Sequence, residues 1–93
     1  MVNAMNLDGQ IALVTGASRG IGQGIANHLA KQGATVIGTA TTESGAAAIS
    51  QYLSAVGNKG QGIALDVNDA AGVNAVIEQV QKEFGAVSIL VNN

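Results

Sequence analysis

Ninety-three residues, 47% of them hydrophobic, 11% charged and none cysteine, make at most one small domain and rule out a disulfide scaffold or a thiolate acting as nucleophile or metal ligand. The net charge of -2, with Arg19, Lys31, Lys59 and Lys82 scattered along the chain, argues against a nucleic-acid-binding face. No apolar run approaches the roughly 18 residues of a membrane span, and the first residues lack the charged and apolar regions of a secretory signal, so a soluble cytoplasmic protein without a metal is expected.

Residues 1–9 are polar and unpatterned, with a turn at Asp8-Gly9, and carry no assigned function. The apolar run in residues 10–15 reads as a buried strand. Ile21, Ile25, Ala26 and Leu29 then recur at helical spacing over about residues 20–32, and Gly33 ends that helix. His28 has no second ligand candidate beside it and reads as an ordinary surface or boundary residue. Residues 34–40 form a second strand with β-branched residues at its centre and a threonine cluster, Thr39, Thr41 and Thr42, at its end.

Residues 43–56 place Ala47, Ile49, Leu53 and Val56 near one face of a second helix, broken by Gly57-Asn58-Lys59-Gly60. Residues 61–67 read as a third strand. Asn68 and Asp69 offer N-caps to a third helix, whose stripe is Val73, Val76, Ile77, Val80 and Phe84 and whose stop is Gly85. Val87-Ser88-Ile89-Leu90-Val91 is a fourth strand.

Strands alternating with helices, on connections long enough for right-handed crossovers, predict an α/β fold: a Rossmann-type doubly wound parallel sheet, represented by its first four strands and three helices. All of residues 1–93 are expected to form the N-terminal part of one such domain. A fourth apolar strand with no later chain to cover it predicts a truncated domain; a natural half-Rossmann or flavodoxin-like domain is the alternative.

Thr15-Gly16-Ala17-Ser18-Arg19-Gly20-Ile21-Gly22 stands where strand pattern changes to helix pattern. A glycine turn there leaves unpaired backbone N–H groups and the positive end of a helix dipole aimed at one volume, which suits a pyrophosphate. Gly16 and Gly20 are four apart and Gly22 follows two later, unlike the familiar dinucleotide fingerprint. A Walker A loop is excluded, because Gly20 is followed by Ile21 and Gly22 rather than by Lys and Ser or Thr. A plain structural turn with tight helix–strand packing is the competing reading.

That octapeptide resembles the TGxxxGxG motif of short-chain dehydrogenases/reductases. Asp66-Val67, at the expected end of the third strand, is similar to the acidic-aliphatic pair which that family sets beside adenine, and Asn92-Asn93 is similar to the opening of its NNAG motif. The likeness runs from Leu7 onward. Within the family, residues 9–22 and 36–41 most resemble the bacterial members that reduce 3-oxoacyl thioesters in fatty-acid synthesis. This resemblance implies an acyl carrier protein bearing the thioester as partner, a homotetramer, and Asn93 in contact with the cofactor. Asp66 serves equally well as a polar strand end preparing the next cap, and Asn92 and Asn93 as a strand end.

The residue types narrow the cofactor. An NAD site usually puts Asp or Glu at the end of the second strand, about 20 residues after the glycine loop, to bind the ribose 2′-hydroxyl. Thr39, Ala40 and Thr41 hold that place, with no carboxylate to repel a 2′-phosphate, and Arg19 offers a charged, planar fork to pair with one. NADP(H) is therefore expected, bound by Gly16, Ala17, Ser18, Arg19, Gly20, Ile21, Gly22 and Thr41, to which the resemblance adds Asp66, Val67 and Asn93. Glu43 reads as first-turn charge on the second helix.

The family's reductases use a Ser, a Tyr and a Lys four residues after the Tyr. Here the single tyrosine, Tyr52, is followed four residues later by Val56, so Tyr52 reads as a boundary packing residue and no catalytic residue is expected within the 93. Another short-chain reductase, acting for example on acetoacetyl-CoA, and a non-catalytic NADP(H)-binding module are the alternatives.

Overall fold

The computed structural model describes residues 7–93; residues 1–6 lie outside the described residues. The elements follow in the order β1 (Ile11–Val14), α1 (Gly20–Lys31), β2 (Thr35–Ala40), α2 (Glu43–Ala55), β3 (Gln61–Ala64), α3 (Ala70–Glu83) and β4 (Ile89–Val91). All strand pairs are parallel and the sheet order is β3-β2-β1-β4. The chain thus builds outward from β1 through β2 to β3, and then returns to place β4 on the other side of β1.

Alternation along the strands divides the core between the two faces. Ala12, Val14, Val36 and Ala40 face α1 and α2, meeting Ala26, Ile49 and Leu53. Ile11, Leu13 and Ile37 face α3, meeting Val76 and Val80. The α1/α2 face is lined by small strand residues, which lets those helices approach closely. At Gly38, an added Cβ would lie 2.8 Å from Ile49 Cγ2 and 2.9 Å from Ala17 Cβ, so the sheet there has no room for a side chain.

Three expectations are corrected. The buried face of α2 is Ala46, Ile49 and Leu53, while Ala47 is exposed and Val56, at the helix C-cap, is 49% exposed. Residues 46–48 are all alanine and carry no phase information, so Ile49 and Leu53 alone set the face. β3 ends at Ala64 rather than 67, because β2, its only strand partner among the described residues, ends at Ala40; Leu65 N–H donates to Ala40 O at 2.8 Å as the last bond of that edge. β4 likewise begins at Ile89 rather than at 87, although Ser88 N–H donates to Ile11 O at 3.0 Å.

Helix termini follow the local chemistry. Thr42 caps α2 by accepting from Gly45 N–H at 3.0 Å, and Asp69, not Asn68, caps α3 by accepting from Gly72 N–H at 3.2 Å. At the opposite ends of the strands, Asn58 substitutes for a ladder partner. Its Oδ1 accepts from Val36 N–H at 3.0 Å and Gly60 N–H at 2.9 Å, while its Nδ2 donates to Ala34 O at 2.7 Å. His28 is exposed on α1.

Candidate functional site

The carboxyl ends of β1 and β4 flank the point where strand order reverses, the place where open α/β sheets hold their ligands. β1 leaves the sheet through Thr15 and enters a turn in which Gly16 (φ 63°) and Gly20 (φ 65°) are left-handed, a conformation L side chains rarely adopt. Gly22 has a different reason. A Cβ there would run into Gly16 O and approach Asn93 Nδ2 to 2.8 Å, so α1 can start this close to β1 only with glycine at that position.

The turn is held from three sides. Ala17 N–H donates to Thr39 O at 2.9 Å, Asn93 Nδ2 donates to Gly16 O at 3.3 Å, and Tyr52 Oη, reaching across from α2, donates to Ala17 O at 2.6 Å. On the β4 side, Asn93 N–H donates to Thr15 Oγ1 at 3.0 Å and Thr15 N–H to Val91 O at 3.0 Å. Burial raises the Tyr52 phenol above its ordinary value.

Against this bracing, the next amides stand open. Among the described residues, the N–H groups of Ser18, Arg19, Gly20, Ile21 and Gly22 have no protein acceptor. Arg19 occupies the N-cap position of α1 in extended conformation and its side chain makes no cap, whereas Thr42 and Asp69 cap the other two helices. A run of unpartnered amides at a helix N-terminus is what binds an anion.

Beside the turn lies a cavity of about 200 Å³ lined by Thr15, Gly16, Thr39, Ala40, Thr41, Leu65, Val67 and Asn93. Four residues picked from the sequence, Gly16, Thr41, Val67 and Asn93, therefore meet in one groove. Ser18, half-buried, and Arg19, Gly20 and Ile21, all exposed, do not line it. Ala17 is fully buried and both its backbone groups are engaged, so it supports the turn from behind. Asp66 does not line the groove; it lies beyond β3, and its Oδ1 accepts from Asn68 N–H at 2.9 Å in a tight turn that leads to the cap of α3. Among the described residues that line the groove, none is Asp or Glu.

Tyr52 is the residue that the sequence did not mark. Its aromatic body does pack at the α1/α2 boundary, as its helical position implies, but its hydroxyl braces a turn 35 residues earlier. Its spacing from Ile49, three residues earlier on the buried face, was the available signal. A larger depression, about 740 Å³, opens at the amino ends of the strands beside Ile11, Thr35, Asn58 and Phe84, and it includes none of the glycine turn. Among the described residues no group of three or more His, Cys, Asp or Glu side chains is placed to hold a metal, and no helix is long and apolar enough to cross a membrane.

Residues 10–93 match the family model described as short chain dehydrogenase. The 3-oxoacyl-[acyl-carrier-protein] reductases FabG of Vibrio harveyi and Escherichia coli (strain K12) are each 60% identical to the chain over 89 residues, 96% of the chain and 35% of the relative. The protein of the same name from Pseudomonas aeruginosa is 53% identical over 89 residues, 96% of the chain and 36% of the relative. The chain thus spans about a third of the length of the curated relatives it matches. With the motif, the sheet order and the family model in agreement, the chain belongs to the short-chain dehydrogenase family.

Proposed function

We propose that this chain is the N-terminal cofactor-binding part of an NADPH-dependent reductase that converts a 3-oxoacyl thioester on acyl carrier protein to its 3-hydroxy form. The observation that carries the cofactor is the set of open amides at Ser18–Gly22, on a helix without a side-chain cap, at the strand-order switch. These amides and the α1 dipole suit the pyrophosphate. Gly16, Thr41, Val67 and Asn93 line the adjoining groove for the adenosine end, and Arg19 supplies the fork for a 2′-phosphate that no nearby carboxylate repels. When bound, the dihydronicotinamide supplies the hydride. These residues bind and orient; the proton donor, and with it the Ser-Tyr-Lys set, belongs to the remaining length that the relatives possess.

The substrate and the acyl carrier protein partner rest on likeness to the FabG reductases; a homotetrameric assembly and a cytoplasmic location are part of the same proposal and rest on the family resemblance alone. The test is NADPH oxidation by the full-length protein with 3-oxoacyl-acyl-carrier-protein against acetoacetyl-CoA. Preference for the carrier-bound thioester supports the reading. Faster turnover of the CoA ester favours the sibling reductase, and NADPH binding without turnover of either favours a non-catalytic module.

A further inference from the structure

The glycine turn contains two successive peptide units whose orientations are fixed at both ends. Ala17 N–H is held by Thr39 O, so the Gly16 carbonyl in the same planar trans unit points the opposite way, where Asn93 Nδ2 meets it. In the following unit, Ala17 O is held by Tyr52 Oη at 2.6 Å, which turns Ser18 N–H away from α2. Ser18 N–H is the first of the open run Ser18–Gly22. A carbonyl that swung outward here would present a negative end where an anion is to bind, and its amide would be lost to the site.

From this arrangement we infer that Tyr52 is a positioning residue for the pyrophosphate: its hydrogen bond to Ala17 O holds the Ala17–Ser18 peptide so that Ser18 N–H faces the anion. The inference rests on the cofactor reading above. Tyr52 itself touches no cofactor. Its contribution is orientation, and only the ligand portion that reads Ser18–Gly22 depends on it.

The test compares Tyr52→Phe with the parent, both as full-length protein. The two ligands are NADPH, which carries the pyrophosphate, and adenosine 2′-monophosphate, which lacks it. The Phe ring retains the packing of the tyrosine against the α1/α2 core and removes only the donor. Expected is a 3- to 10-fold weaker NADPH Kd, the size of one net hydrogen bond, with the 2′-monophosphate Kd unchanged within twofold. The KM for NADPH rises accordingly while kcat at saturating NADPH holds. An unchanged NADPH Kd, or an equal loss for both ligands, overturns the inference, the latter because a merely structural role would disturb the whole groove. A parent that fails to bind NADPH overturns the cofactor reading itself and is seen before any variant is compared.

Discussion

Asn93 Nδ2 lies 3.3 Å from Gly16 O, across 77 residues of sequence, and so ties the end of β4 to the glycine turn that follows β1. The contact sits at the strand-order switch and explains why Gly22 has no space for a side chain: the first turn of α1 shares that volume with both partners. The turn's shape is thus a property of the packed sheet as well as of its three glycines.

Gly22→Ala is expected to destabilise the protein by about 2 kcal/mol or more, because the added methyl meets a backbone carbonyl that cannot step aside. Gly24→Ala, one residue pair along the same helix and with open space at its Cβ, is expected to stabilise by about 0.5–1 kcal/mol through lower unfolded-state entropy. Urea unfolding of the two variants measures the contrast.

Asn58→Ala leaves Val36 N–H, Gly60 N–H and Ala34 O without their partner. A loss of about 2–3 kcal/mol is expected from the orphaned groups. NADPH affinity under native conditions should not move, since Asn58 lies at the other end of the sheet. Denaturant midpoints and cofactor titrations on the same samples test both halves.

Much of this was legible in the residues. Element order, the parallel sheet and the place of the glycine turn between β1 and α1 follow from apolar runs punctuated by glycine, because buried parallel strands need continuous apolar sequence and helices need the 3.6 period. Strand ends were overread at β3 and β4, since apolar residues continue past the last residue that a neighbouring strand can pair. The face of α2 was misphased through Ala46-Ala47-Ala48, where composition says nothing about direction. Asp66 was placed by the resemblance beside adenine and by its strand-end position before a cap; its Oδ1 takes part in the turn before α3, and its side chain is exposed. The Tyr52 hydroxyl bond is long-range and leaves no periodic trace.

The raised Tyr52 pKa gives a signed pH prediction. The phenol is harder to ionise folded than unfolded, so its contribution to stability is complete below the unfolded value of about 10 and declines as pH rises from there through the higher folded value. Between about pH 9 and pH 11 the parent should therefore lose more stability than Tyr52→Phe, while below pH 9 the two stability curves run parallel. Chemical denaturation across that range measures the difference.

Thr41→Asp places a carboxylate in the groove at the end of β2, where Thr41 now contributes none. Repulsion of a 2′-phosphate, and a new acceptor for a 2′-hydroxyl, should shift the NADPH/NADH affinity ratio toward NADH by about tenfold or more, equivalent to 1.4 kcal/mol. Isothermal titration with both dinucleotides reads the ratio directly.

The central claim is that the turn at residues 15–22 holds the pyrophosphate and that Arg19 beside it reads the 2′-phosphate. Its most direct test is the affinity of the full-length protein for NADPH and NADH, before and after Arg19→Ala. The parent is expected to bind NADPH at least about tenfold more tightly than NADH, and the variant to lose about 10- to 100-fold on NADPH, the worth of a charge-assisted pair, while NADH affinity stays within about threefold. Equal affinities in the parent, or equal losses for both dinucleotides in the variant, would contradict it.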